Sequence, residues 1–519
     1  MAPPETPTLH PNSGGFSSQT MIFHSLRPTV SLPPPTASIS VAGYVFTLLR
    51  HHSPTPSFLV DAATRRRIQI SDLPDLVRTL SQNLRRKFNL SKNDVAFVIS
   101  PNSIHIPVLY LSLLSLGVVV SPSNPLSTAS DISRQIHVSN PAIAFATSDT
   151  ASRLPALREG TVLLDSPEFE SLLLQFQNDG DGFARIEVFQ NDAAAILYSS
   201  GTTGRVKGVE LTHGNFIAAI AGVHVARPVR PFPPVTFCAV PLFHVYGFGL
   251  CIREVALGGS VVVVAAAAGM NLESIFGAVE EFKVTHLAVA PPSVVAMAKS
   301  AAAEKYDLKS LEAVLCGGAA LANSVIERFN RRFSDVSILQ AYGLTETTGG
   351  ITRTIGLNES RVTGGNGRLM SNCQAKIVDP VTGRTLPPLK HGELWIKGPF
   401  VMKGYVGDKE ATEAMVDSEG WLRSGDICYF NTEGFLFFVD RMKELIKYKG
   451  YQVAPAELED LLLSHPAIVD AAVIPYPDEN AGQVPAAFVV RQPGSNVTKS
   501  EIMDFVAQQV IKKYNRSKL

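Results

Sequence analysis

Short apolar runs separated by helix-like segments recur along most of this chain, and that rhythm restricts its fold more than any single residue does. Val95–Ile99, Val118–Val120, Ile143–Ala146 and Thr161–Leu164 have strand length, with turn residues between them. Val235–Val240, Ser260–Val264 and Thr285–Val289 repeat the pattern, and Leu272–Phe282 and Ala322–Phe333 are spaced as helices. From Asp72 onward, Leu73, Leu76, Leu80 and Leu84 recur on one helical face. Strands joined through helices cross over and pair in parallel, so the pattern predicts layered α/β architecture.

At 519 residues the chain exceeds the roughly 250–300 residues that one hydrophobic core can organise, so more than one domain is expected. Past Gly367 the texture changes to short strands with Gly and Pro turns: Gln374–Val378, Gly392–Lys397 and Leu436–Val439. These predict an antiparallel or barrel-like region. A last unit starts at Asp440, with strand-like Ile468–Ile474 and Ala486–Val490 and a helix over Lys499–Val510. Residues 1–40 are rich in Pro, Ser and Thr and are expected to be irregular. The expected organisation is therefore an irregular segment to residue 40, a large domain over 41–439, and a small α+β domain over 440–519. The large domain would hold layered βα subdomains and a small β-barrel-like region.

Composition narrows the partners. Lys plus Arg is 46 and Asp plus Glu is 46, so no basic excess points to nucleic acid. The cysteines, Cys238, Cys251, Cys316, Cys373 and Cys428, are scattered and lack CxxC spacing, which reads as reduced, buried thiols in an intracellular protein. On that reading the sequon Asn496-Val497-Thr498 stays unused. The opening residues lack the charged and apolar regions of a secretory signal. Ile106–Val120 and Phe232–Ile252 are largely apolar but interrupted by prolines, so both are expected as buried core and not as membrane spans. The chain ends Ser517-Lys518-Leu519, an address read by the peroxisomal import receptor; a cytoplasmic location is the alternative.

The strongest chemical signal is Tyr198-Ser199-Ser200-Gly201-Thr202-Thr203-Gly204-Arg205-Val206-Lys207-Gly208, fed by the apolar strand Ala193–Leu197. Glycines let the backbone approach phosphate oxygens, hydroxyls donate hydrogen bonds, and Lys207 supplies a point charge. The loop departs from the Walker pattern, since Val206 precedes the lysine and Gly208 follows it.

This loop resembles the first signature of the adenylate-forming superfamily, which includes acyl-CoA synthetases, 4-coumarate–CoA ligases and beetle luciferases. Val206 replaces the usual proline. Further blocks follow in the family's order. Gln340-Ala341-Tyr342-Gly343-Leu344-Thr345-Glu346 resembles the adenine and magnesium motif, with Ala341 for a usual glycine. Gly420-Trp421-Leu422-Arg423-Ser424-Gly425-Asp426 resembles the ribose motif, and Asp440 to Val453 resembles the interdomain hinge. The resemblance runs from about residue 40 to about residue 510 and is strongest to plant 4-coumarate–CoA ligase-like proteins, peroxisomal members among them.

The resemblance implies two steps. A carboxylate attacks the α-phosphate of ATP with loss of pyrophosphate, and the CoA thiol then attacks the acyl-adenylate with loss of AMP. Ser199, Ser200, Gly201, Thr202, Thr203 and Lys207 would hold the β- and γ-phosphates, and Thr345 the α-phosphate. Glu346 would hold Mg²⁺, a hard cation that prefers oxygen. Tyr342 would stack on adenine beside Gln340, Ala341 and Gly318, while Asp426 and Arg441 would bind the ribose hydroxyls. His244, in Pro241-Leu242-Phe243-His244-Val245-Tyr246-Gly247, would orient the carboxylate and gate the CoA tunnel. Tyr246, Gly343 and Gly349 would line the acyl pocket. Lys443 would mark the hinge, Lys447 and Gln452 would contact the adenylate, and Lys449 and Gly450 would meet CoA.

Between Pro241 and Ile252 there is no acidic residue to hold an α-amine, which disfavours amino-acid substrates. Gly349 and Gly350 stand where 4-coumarate ligases carry bulkier residues, which suggests longer or more flexible acyl chains. Hydroxycinnamates, fatty acids and oxylipins all remain candidates. The family's C-terminal Gly-Lys pair, whose lysine bridges carboxylate and phosphate, has no counterpart after residue 440, and a final strand and helix are expected to be missing. A weakened adenylation step is therefore expected. The alternatives to a working ligase are an adenylation-impaired isoform, a non-catalytic acyl or nucleotide binder, and luciferase-like oxidation of an acyl-adenylate.

Overall fold

A computed structural model describes residues 14–50, 55–174, 186–199, 206–265, 271–448, 451–478 and 481–516. Among them, two large sheets form the layered part. The first runs in the order Gly404–Tyr405, Lys207–Thr212, Ala193–Ser199, Val119–Ser123, Val95–Ile99, Ile143–Ala146, Thr161–Leu163. The second runs Arg368–Leu369, Gly349–Arg353, Ser337–Leu344, Ala313–Cys316, His286–Val289, Val235–Cys238, Ser260–Val263, Phe58–Asp61, Arg67–Gln69. The interior strands pair in parallel, as their helical crossovers require. The first sheet turns antiparallel at one end, at Ala193–Ser199 with Lys207–Thr212, and the second at both, at Ser337–Leu344 with Gly349–Arg353 and at Phe58–Asp61 with Arg67–Gln69; the phosphate loop and Glu346 lie at the first two of these. Ligand crevices of α/β sheets open where strand order or direction changes.

Both apolar stretches that raised the membrane question are core. Ile106–Val120 becomes the helix His105–Ser115 and the start of the strand Val119–Ser123. Phe232–Ile252 becomes the strand Val235–Cys238 and most of the helix Val245–Ala256. That helix buries Val245, Phe248, Leu250, Ile252 and Val255, each burial stabilising by about 1.5–3 kcal/mol. No helix among the described residues is long and apolar enough to cross a membrane. The five cysteines are all free and buried.

The antiparallel region is a third sheet built from Gln374–Val378, Gly392–Lys397, Leu422–Phe430 and Leu436–Arg441. Its far edge corrects one expectation. Within the segment expected to be irregular, Phe16–Ser17 and Ile22–His24 form strands, and Ala375 pairs with Phe23. Phe23 is fully enclosed and stacks on Phe430 at 4.3 Å. Arg27 is held to Glu359 by two hydrogen bonds, of 2.8 and 2.6 Å. One buried aromatic ring and one ion pair anchor a stretch whose Pro and Ser content alone predicts no order.

The C-terminal unit is a four-stranded antiparallel sheet, Tyr451–Val453, Ile446–Tyr448, Gly482–Arg491, Ile468–Asp478, with the helices Pro455–Ser464 and Lys499–Arg516. Its core is small, centred on Ile446, Leu462, Ile468, Val473 and Ile502. Polar contacts tie it to the large unit: Ser324 donates to Asp460 at 3.2 Å and Lys299 Nζ to the Val469 carbonyl at 2.8 Å.

Candidate active site

The phosphate loop closes a hairpin. Ala193–Ser199 and Lys207–Thr212 are antiparallel, and Ser199 stands opposite Lys207. Both ends of the loop therefore emerge at the same point of the sheet. Ser200, Gly201, Thr202 and Thr203 lie outside the described residues.

Glu346 comes to this hairpin from the other sheet. The strand Ser337–Leu344 delivers it into the single turn Thr345–Thr347, where it is 6 % exposed. Its Oε1 accepts from Ser199 Oγ at 2.8 Å and from Tyr405 Oη at 2.9 Å. Tyr405 also presents its ring to Lys207, whose Nζ lies 4.6 Å from the ring centre. One tyrosine thus links the carboxylate and the cation, and burial together with the Glu346 charge pushes its phenol pKa far up, keeping it a donor. Sequence reading missed Tyr405. It lies 59 residues from Glu346, on an edge strand, Gly404–Tyr405, that carries no motif.

Glu346 makes no ion pair among the described residues, and no group of three or more His, Cys, Asp or Glu there could hold a metal by itself. A single buried carboxylate fits Mg²⁺ arriving with a nucleotide, because Mg²⁺ is usually held by one or two carboxylates plus substrate phosphates.

A second cluster lies on the neighbouring strands. Tyr342 donates its hydroxyl to Asp426 Oδ2 at 2.6 Å, and its ring stacks on Phe438 with centres 6.1 Å apart. Asp426 and Arg441 face each other across the strands Leu422–Phe430 and Leu436–Arg441, with Arg441 Nε 3.9 Å from Asp426 Oδ1. Burial raises the Asp426 pKa to about 6, against the pull of the Tyr342 hydroxyl and Arg441. Gln340 is buried and donates its side chain to the Gly365 carbonyl at 3.2 Å. Gly318 has φ of +89° with open space where a Cβ would sit.

His244 caps the helix Val245–Ala256. Its Nδ1 accepts from the Tyr246 backbone N–H at 3.3 Å, satisfying one of the otherwise unpaired first-turn donors. The ring reaches solvent, yet surrounding protein lowers its pKa, so it is neutral at pH 7. The turn closes tightly because residue 247 is glycine: a Cβ there would lie 2.1 Å from the Pro241 carbonyl oxygen. Tyr246 points inward and donates to the Leu315 carbonyl at 2.9 Å. Tyr246, Gly349 and Gly350 line a cavity of about 110 Å³. Gly343 does not line it. It permits a close strand approach instead, since a Cβ there would meet the Gly349 oxygen at 1.8 Å.

The hinge block begins at the second cluster, since Asp440 precedes Arg441 and pairs with Ile427, and then leads away from it. Asp440 is buried and accepts from Ala456 N at 3.0 Å, capping the start of the helix Pro455–Ser464. Lys443 and Lys447 are exposed, and no hydrogen bond or ion pair among the described residues joins either to Glu346 or Asp426. The backbone of Gln452 pairs with Lys447 in the small sheet. Lys449 and Gly450 lie outside the described residues.

Comparison with known proteins agrees with this geometry. The AMP-binding enzyme family matches residues 50–406, and the AMP-binding enzyme C-terminal domain matches residues 457–518. 4-Coumarate–CoA ligase-like 9 of Arabidopsis thaliana is 49% identical over 513 residues, covering 96% of this chain and 91% of the relative. Peroxisomal OPC-8:0-CoA ligase 1 of the same plant is 42% identical over 507 residues, covering 96% and 92%. Among solved structures, ATP-bound MatB from Rhodopseudomonas palustris superposes with a TM-score of 0.79 at 24% identity, covering 91% of this chain and 92% of that one.

Proposed function

We propose that this chain, which belongs to the AMP-binding enzyme family, joins a carboxylic acid to CoA at the expense of ATP. The observation that carries the reading is the meeting of Ser199, Lys207, Tyr405 and Glu346 where the phosphate-loop hairpin faces the second sheet. In the first step a carboxylate oxygen bonds to the α-phosphorus and pyrophosphate leaves. Ser199 to Thr203 and Lys207 would hold the β- and γ-phosphates and Thr345 the α-phosphate as negative charge shifts onto the leaving group. Glu346 would hold Mg²⁺, which screens phosphate charge when bound. Asp426 and Arg441 would take the ribose hydroxyls, with Gln340, Ala341, Tyr342 and Gly318 around the base. His244 would orient the incoming carboxylate, and Tyr246 and Gly349 would shape the acyl side, with Gly343 permitting the close strand approach beside Gly349.

In the second step the CoA sulfur bonds to the acyl carbon and AMP leaves. Lys447 and Gln452 would contact the adenylate, and Lys449 and Gly450 the CoA. They reach the site when the small unit turns about Lys443. For the acid we favour flexible acyl chains of the fatty-acid or oxylipin class over cinnamates. The paired glycines at 349 and 350, and a relative whose name specifies OPC-8:0, support that choice. A peroxisomal location belongs to the same reading, supported by that relative's printed location.

The test is acid-dependent pyrophosphate release with ATP and Mg²⁺, with and without CoA, across fatty acids, cyclopentanone-ring oxylipins and cinnamates. Release with one class, coupled to thioester formation, is the expected result. Nucleotide binding without release for any acid would overturn the ligase reading and leave a binder.

A further inference from the structure

We infer that Arg353 reads an oxygen at the distal end of the acyl chain, so that the preferred acid carries a keto or carboxylate group far from its reacting carboxylate. This rests on the ligase reading and sharpens it to a substrate class.

Two adjoining cavities carry the argument. The small one beside Tyr246 and Gly350 adjoins a larger one of about 1060 Å³, and Arg253, Leu315, Leu339 and Arg353 line both. Arg353 therefore stands at the junction. Its direction follows from strand register. Ala341 pairs with Arg353 and Gly343 with Gly350, and the register shifts between Tyr342 and Gly343. Residues directly opposite share a face, and residues two apart on one strand share a face. Gly350 and Arg353 thus project to the same side, although they are an odd number of residues apart. Without the irregularity the guanidinium would turn into the opposite face. Along the partner strand the offset is two residues, or about 7 Å. A chain passing over the bare backbone of Gly350 and the small Ala341 meets Arg353 next.

Arg253 and Arg230, on the same walls, are each paired with a carboxylate. Arg253 donates to Glu254 Oε1 at 2.7 and 3.1 Å, and Glu254 also accepts from Thr236. Arg230 is bound to Glu312 on the wall of the larger cavity. Burial lowers the His286 pKa to about 4, so that wall residue is neutral at pH 7. The Arg353 guanidinium makes no hydrogen bond or ion pair among the described residues, although the Glu254 carboxylate lies near enough to favour its charged form; its backbone pairs with Ala341 and Arg368, and its carbonyl accepts from Arg27 at 3.2 Å. Burial and the Arg253 charge lower its pKa to about 10, which leaves it protonated at pH 7.

A half-buried guanidinium with five donors and no hydrogen-bond acceptor loses its remaining water when a purely apolar chain covers it, which is costly. A ketone or carboxylate oxygen supplies what is missing, the carboxylate through a two-pronged contact.

Calorimetric titration of the full chain with decanoate, decanedioate and a decanoate carrying a keto group at its far end tests this without requiring turnover. Wild type should bind at least one oxygen-bearing acid about ten- to a hundredfold more tightly than decanoate. Arg353→Leu should erase that preference while keeping decanoate affinity, which also reports an intact pocket. Arg353→Lys should retain part of the preference for the dicarboxylate. Preference for both oxygen-bearing acids identifies a neutral acceptor as sufficient; preference for decanedioate alone identifies the negative charge. Equal binding of all three acids by wild type, or a preference that survives Arg353→Leu, would overturn the inference. Loss of decanoate binding in both variants would assign Arg353 to packing and overturn it as well. Failure of the ligase reading shows separately, as acid binding without pyrophosphate release.

Discussion

The nucleotide end of the large unit and the small C-terminal unit differ in how their polar groups are held. Glu346, Tyr405 and Ser199, and likewise Tyr342 and Asp426, engage one another directly and are sequestered between sheets. Lys443 and Lys447 stand exposed on the small unit. The large unit is bound by extensive buried clusters, whereas the small one has a minor core and meets its neighbour through polar contacts such as Ser324 with Asp460. A rigid region can fix several donors to fractions of an ångström. A lightly attached region can exchange one set of contacts for another at small cost.

The sharpest test of that contrast removes core from the weaker side. Leu462 is 2 % exposed, and Leu462→Ala should cost about 2–5 kcal/mol. Hydrogen exchange should rise across the small unit while the two large sheets keep their protection. Loss of protection in both units together would break the comparison. Next in size, Glu346→Gln should lower acid-dependent pyrophosphate release by about a hundred- to a thousandfold with no change in fold, since it alters charge and little volume. Tyr405→Phe keeps the ring near Lys207 and deletes only the hydroxyl that Glu346 accepts. It should weaken Mg·ATP binding by about tenfold in a fluorescence titration, and an unchanged affinity would show that Ser199 alone holds Glu346.

The smallest effect is on pH. Because the folded-state pKa of Asp426 is raised to about 6, the folded protein holds this proton more tightly than the unfolded chain. Asp426 thus works against stability as pH climbs from the ordinary carboxylate range to about 6, and the penalty is fully present above that value. For binding the sign is opposite, since the ionised carboxylate accepts from ribose hydroxyls. Affinity for adenosine, which has no phosphate to titrate, should fall below pH 6 by up to about tenfold per unit, and Asp426→Asn should flatten the profile.

Much of the architecture is legible in short windows. Leu272–Phe282, Gln374–Val378 and Gly392–Lys397 have the same bounds in the structure as in the sequence pattern. The stripe beginning at Leu73 is buried at Leu73, Leu80 and Leu84, with Val77 displacing Leu76 as the fourth contact. Such patterns are readable because helix and strand repeats bring together residues a few positions apart. The failures lie where order comes from distant partners. Phe23 gains its place by stacking on Phe430, which no local window near residue 23 contains.

By itself the sequence determined the alternation of strands and helices, the separate C-terminal unit, the strand that feeds the phosphate loop, and the order of the site motifs; the pairing that sets Lys207 opposite Ser199 came from the structure. Only the tertiary structure decided that Tyr405 would join Glu346 to Lys207, that Tyr342 would donate to Asp426, and that Arg353 would face the cavity with Gly350. Periodicity records which way a side chain faces relative to its neighbours in sequence. Sheet order, crossovers and a single register shift fix which distant side chains meet, and those depend on the packing of the whole chain.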